Sequence, residues 1–72
     1  MQLTTRIGTG EDCAMAGFLT VRYFLRPGQW KIDGFIGRTN DGFACRWEQA
    51  RATFTTVGEA ESWLQSESGY SL

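Results

Sequence analysis

Two cysteines (Cys13 and Cys45), two close carboxylate pairs (Glu11-Asp12 and Glu59-x-Glu61) and a Gly8-x-Gly10 step are the features of this 72-residue chain that could do chemistry. Their spacing does not suit it. The chain has no histidine, so the commonest general base is missing, and with it any Ser–His or Cys–His nucleophile pair. Cys13 directly follows Glu11-Asp12, whose negative charge disfavours a thiolate. A metal site would need two distant thiols and scattered carboxylates without imidazole, which the spacing rules do not support. Gly8-x-Gly10 is followed by neither a helix start nor a lysine, so it does not read as a phosphate loop. The carboxylate pairs read as solvated charge, one in a loop and one on an outer helical face. We expect no enzyme, no cofactor and no metal.

Binding chemistry is better represented. In an extended Gly17–Arg26, Arg22, Phe24 and Arg26 project to one side, and Lys31, Asp33 and Phe35 lie beside them across the Pro27-Gly28 turn. Aromatics interleaved with arginine on an exposed sheet can stack bases or anchor a protein partner. Against this stands a plainer reading, in which the N-terminal segment or a dimer mate covers Phe24 and Phe35 and the arginines are simply solvated. Glu59, Glu61 and Glu67 read first as a solubilising helix face. They read second as an acidic strip that pairs with the arginines of a nucleic-acid-binding enzyme and imitates phosphate.

The elements that must position these residues are read from periodicity. Gln2–Ile7 alternates as a short edge strand, and the glycine-punctuated stretch through Ala16 reads as a loop. In Gly17–Arg26, Leu19, Val21, Tyr23 and Leu25 share one face, which we expect to be the core face. Arg26-Pro27-Gly28-Gln29 has the chemistry of a type II turn. Trp30–Thr39 returns, with Gly34 and Gly37 marking a bulge or a close contact. Thr39-Asn40-Asp41-Gly42 fits a hairpin loop of a type I turn plus a left-handed glycine. Phe43–Phe54 reads as the last strand, with a bend or a short helical turn near Glu48–Ala50. Thr56 and Glu59 have capping-box spacing, and Val57, Ala60, Trp63 and Leu64 form one helical stripe. The helix runs to about Glu67, with Gly69 as its left-handed stop. The expected fold is α+β: a small antiparallel meander of three to four strands packed on one C-terminal helix, in β-β-β-β-α order.

Composition sets the outer bounds. The length allows a single domain, 1–72, with one core, and a 42% hydrophobic content with three Trp, two Tyr and five Phe favours folding over disorder. The net charge of −1 gives no global drive toward nucleic acid or acidic membranes. The charges are segregated, however. Arg22, Arg26, Lys31, Arg38, Arg46 and Arg51 outnumber the acids of residues 14–53, whereas residues 54–72 carry only Glu59, Glu61 and Glu67. A mildly basic sheet beside an acidic helix is expected. Two cysteines allow either one bridge or two reduced thiols. With no apolar stretch of membrane-spanning length and no signal-peptide layout, we expect a cytoplasmic protein and a complete small gene product.

Phe54-x-Thr56-x-x-Glu59-Ala60-x-x-Trp63 resembles the end of the amino-terminal arm-binding domain of phage-type tyrosine integrases. Those domains are three-stranded sheets capped by a helix, and their sheet enters the DNA major groove with basic residues. The resemblance covers about ten residues, a strand-to-capping-box junction, and on it Arg22, Arg26, Lys31 and Arg46 become candidates for DNA contact. The negative net charge and the missing catalytic domain depart from that family. The chain as a whole is also similar to small phage-encoded anti-CRISPR proteins, some of which are slightly acidic sheets packed on a helix that bind Cas proteins. That similarity implies a noncatalytic phage or mobile-element inhibitor that blocks a host protein or ribonucleoprotein complex such as a CRISPR effector, acting in the host cytoplasm. The expected contact residues are Arg22, Phe24, Arg26, Lys31 and Phe35, with Glu59, Glu61 and Glu67 as the acidic alternative. The other readings are a small DNA-binding module and a homodimeric regulatory or structural subunit that uses an exposed edge strand.

Overall fold

Alternating side chains and tight turns build one antiparallel sheet whose strands lie in sequence order. The computed structural model describes residues 1–8 and 10–72. The elements are β1 (Thr4–Gly8), α1 (Gly10–Met15), β2 (Thr20–Leu25), β3 (Gly34–Arg38), β4 (Phe43–Trp47), β5 (Ala50–Phe54) and α2 (Val57–Ser68). The sheet has five strands in the order β1-β2-β3-β4-β5, so β1 and β5 are its edges. This is the expected α+β meander closed by a C-terminal helix. The fifth strand arises because Phe43–Phe54 is a hairpin, not one bent strand. Trp47 pairs with Ala50, leaving Glu48-Gln49 as a two-residue loop. Glu48 has φ +54°, the positive first position of a II′-like turn, which glycine usually fills. The short helix α1 occupies part of the stretch read as a loop; Thr9, also in that stretch, lies outside the described residues.

The turn and cap chemistry is found largely where the sequence places it. The Gln29 N–H donates to the Arg26 carbonyl at 3.0 Å and Gly28 has φ +76°, as a type II turn requires. Thr56 caps α2: its hydroxyl accepts from the Glu59 N–H at 3.3 Å and donates to the Glu59 carboxylate at 2.8 Å. Gly69 ends α2 in the left-handed conformation and returns its N–H to the Gln65 carbonyl. Gly42 departs from expectation. Its φ of +156° is not that of a left-handed turn, and it is the close approach of the Phe54 carbonyl that leaves no room for a side chain there.

The helix α2 packs over β4 and β5. Beneath it lies a core of Leu3, Phe24, Ile36, Cys45, Trp47, Ala60 and Leu64, bordered by half-buried Phe43, Phe54, Trp63 and Tyr70. Cross-strand partners share a face, and the register Phe24–Gly34–Trp47 and Arg22–Ile36–Cys45 puts the even-numbered residues of β2 on the helix side. The expected faces of this strand are therefore reversed. Phe24 is 1% exposed against α2, while Leu19, expected in the core, precedes β2 and is 58% exposed. Val21 and Leu25 are buried, but on the other face. A central strand covered on both sides loses the polar alternation that would mark its solvent face. Val57, expected on the buried stripe, is exposed, whereas Ala60 and Leu64 are fully buried. The chain ends are tied together: the Leu3 N–H donates to the Ser71 carbonyl at 2.9 Å, and the Ser71 N–H donates to the Met1 carbonyl at 3.2 Å.

Candidate functional site

On the sheet face away from α2, one residue from each strand falls in a single row. The ladders pair Arg6 with Tyr23, Tyr23 with Phe35, Phe35 with Arg46 and Arg46 with Arg51. Because paired residues share a face, the row Arg6–Tyr23–Phe35–Arg46–Arg51 crosses the whole sheet. It is aromatic in the middle and cationic at both ends.

The turn after α1 leads Phe18 onto this face. Phe18 bonds back to α1: its N–H donates to the Cys13 carbonyl at 3.0 Å, and its own carbonyl accepts from the Cys13 thiol at 3.1 Å. Its ring sits on Gly37, where a Cβ would come within 2.6 Å of the ring carbons, and tilts against Phe35 at a centroid distance of 5.3 Å. Beside this pair runs an open groove of about 590 Å³, bordered by Phe18, Tyr23, Phe35, Ala44, Arg46 and Arg51.

Among the described residues, Arg6, Arg46 and Arg51 of this row, like Arg38 elsewhere in the fold, lack the carboxylate partners that Arg22 and Arg26 possess. Arg22 donates to Glu61 at 2.8 Å, and Arg26 pairs with Asp33 at 3.0 Å and with Glu48. Among the described residues, no carboxylate lies within 4.0 Å of Arg6, Arg46 or Arg51. The Arg46 guanidinium lies over the Phe35 ring, 5.2 Å from its centroid, a cation–π arrangement. The buried Nε of Arg46 has no hydrogen-bond acceptor among the described residues. Two like charges directly opposite each other on neighbouring strands are destabilising, and neither Arg46 nor Arg51 forms an ion pair among the described residues.

The nominated contact residues do not form one patch. Phe24 is core, so it cannot meet a partner. Arg22 lies on the helix side, bound to Glu61, and Arg26 lies over Trp47 at 5.0 Å, where its bond to Glu48 raises the pKa of its guanidinium. Lys31 is exposed in the β2–β3 loop beside Trp30, which is 88% exposed. Phe35 alone of this set lies on the helix-free face. The acidic strip is divided as well: Glu61 turns toward Arg22 and Glu59 serves the cap, leaving Glu67 exposed without either role.

Sequence reasoning missed Arg6, Phe18, Tyr23 and Arg51, and reached Arg46 only through the integrase resemblance. Recognising Glu48-Gln49 as a hairpin loop would have set Arg46 opposite Arg51. The loop lacks the Asn-Gly or Asp-Gly signal that usually reveals one.

Cys13 and Cys45 are both free and buried, and burial pushes the Cys45 thiol up to about 11. No cluster of three or more metal-ligating side chains occurs among the described residues. No helix among them is long and apolar enough to cross a membrane. No protein-family model, curated protein or solved structure matches the chain.

Proposed function

We propose that this protein is a noncatalytic nucleic-acid-binding module whose working surface is the helix-free sheet face. The observation that carries this reading is the row Arg6–Tyr23–Phe35–Arg46–Arg51, in which cationic side chains without carboxylate partners among the described residues flank aromatic rings. Phosphates would neutralise the opposed arginines, and the aromatic centre offers contact to bases or sugars. The overall charge of −1 does not oppose this. Glu59, Glu61 and Glu67 belong to the helix on the far side of the sheet, where Arg22 and Arg38 also lie, so these carboxylates stand away from the row.

The test is a fluorescence-anisotropy titration of labelled DNA and RNA oligonucleotides at low salt, comparing the unaltered protein with Arg51→Glu. Binding that weakens with salt and falls at least tenfold in the variant supports the reading. No complex with either nucleic acid at low salt overturns it.

A second reading, capture and blocking of a host protein or ribonucleoprotein complex as anti-CRISPR proteins do, is favoured by a separate observation. Trp30 is almost wholly exposed next to part-exposed Ile32, in the manner of an interface anchor. Pull-down from a bacterial host that is lost in Trp30→Ala, while the oligonucleotide titration stays blank, would select it.

A further inference from the structure

The groove is the wrong shape for a duplex and the right one for a single strand. We infer that its ligand is single-stranded nucleic acid, with Arg46 and Arg51 as a phosphate clamp and the apolar side of the groove at Phe18 and Ala44 receiving unpaired bases. This rests on the nucleic-acid reading above and specifies its substrate.

To read duplex DNA, a sheet must protrude into a major groove about 12 Å wide. Five strands at about 4.8 Å spacing span roughly 19 Å, and the basic row crosses all of them. From Tyr23 to Arg51 the row also borders a groove. Phe18 stands on Gly37 and, with Ala16, forms a wall beside Phe35. A surface with a wall on it cannot enter a groove, whereas a flexible single strand can lie along the foot of that wall.

The chemistry of the two sides agrees with this. On one side, Phe18, Phe35 and Ala44 are apolar and part-exposed. On the other, Arg46 and Arg51 face each other across the β4–β5 ladder. A duplex offers such a groove only its phosphate edge, since its base faces are stacked inside. A single strand offers phosphate and base face together, one for each side. The Arg46 guanidinium is held over Phe35, and a guanidinium whose terminal N–H groups reach the groove can bind a phosphate bidentately. Asp33 and Glu48, which border the neighbouring loop groove together with Arg46, are engaged by Arg26 and so compete weakly for it.

The experiment uses the full chain and a labelled thymidine oligonucleotide of about 12 nucleotides, a length within the usual single-strand site range, beside a duplex of equal length. Both are titrated between about 50 and 200 mM salt, where counterion release is readily measured. The single strand is expected to bind at least tenfold tighter than the duplex. In Arg51→Ala, an exposed position whose truncation leaves the fold intact, the slope of log affinity against log salt should fall by about 0.7, the single-strand value for one lost phosphate contact. Arg46→Lys keeps the charge but loses the fork, and should weaken binding with little change in slope. Equal or tighter binding of the duplex overturns this inference while leaving the sheet-face reading standing. An unchanged slope in Arg51→Ala overturns the clamp. Failure of both oligonucleotides to bind removes the nucleic-acid reading itself.

Discussion

Phe18 rests directly on Gly37: a Cβ placed on that glycine would lie 2.6–2.7 Å from three carbons of the ring. The contact joins the segment after α1 to the centre of β3, and so fixes the wall of the groove. Gly37→Ala should push the ring outward and lower stability by about 1–3 kcal/mol, the usual cost of overpacking. Urea unfolding measures the loss. If the ring is seated as described, Phe18→Ala combined with Gly37→Ala should be less destabilised than the sum of the single variants, because the clash is gone. Simple additivity would mean that the two residues do not touch.

The loop at Glu48 carries a different kind of strain. A non-glycine residue in the left-handed region costs roughly 1–2 kcal/mol, and here φ is +54°. Two bonds hold Glu48 in place: its N–H donates to the Asp33 carbonyl at 2.7 Å, and its carboxylate accepts from Arg26. Glu48→Ala keeps the strain and loses the ion pair, so it should be less stable than the unaltered protein. Glu48→Gly loses the same pair but adopts the conformation freely, and should exceed Glu48→Ala by about 1 kcal/mol. Thermal melts of the two variants decide this, and equal melting temperatures would show that the loop is unstrained.

How far the sequence foretold the molecule depends on whether the signal was local. The Thr56–Glu59 cap, the Gly69 stop and the Pro27-Gly28 turn are dictated by neighbours within a few residues, and each is found where the chain places it. The faces of β2 were not legible, because Val21, Phe24 and Leu25 are all buried and either alternation could have met the helix. That choice is made by tertiary partners. Gly34 lies opposite Phe24 and Trp47 in the register, and the small Ala60 and the neighbouring Leu64 of α2 complete the same core. The candidate site was hidden for a related reason. Arg6, Phe18, Tyr23 and Arg51 come from four separate segments, and only the full register brings them together with Phe35 and Arg46.

Arg22 and Glu61 link the sheet to α2 through a 2.8 Å ion pair in which both side chains remain about one-third exposed. Solvent screening keeps such pairs weak, on the order of 0.2–1 kcal/mol. A double-mutant cycle with Arg22→Ala and Glu61→Ala should return a coupling energy in that range, shrinking as salt is raised. Oligonucleotide binding should be unchanged in Arg22→Ala, because this arginine lies on the side opposite the groove. Loss of binding in that variant would place the working surface on the wrong face.

Cys45 gives the fold a sensitivity to alkali. Its thiol is buried between Ile36 and Ala52 on the helix side of the sheet, and burial raises it from 9.0 to about 11. The sign follows from which state holds the proton. Between about pH 9 and pH 11 the native thiol stays protonated while the unfolded one ionises, so the folded state binds more protons and stability falls as pH rises. This contribution is intact below about pH 9 and is lost as pH passes through about 11. The melting temperature should therefore decline across that window, and the decline should be shallower in Cys45→Ala, which removes the ionisable group. The same burial should leave Cys45 unreactive toward a thiol-specific reagent at pH 8 until denaturant is added. Rapid labelling of Cys45 in the native protein would show that the sheet–helix layer is open, and the pH effect would vanish with it.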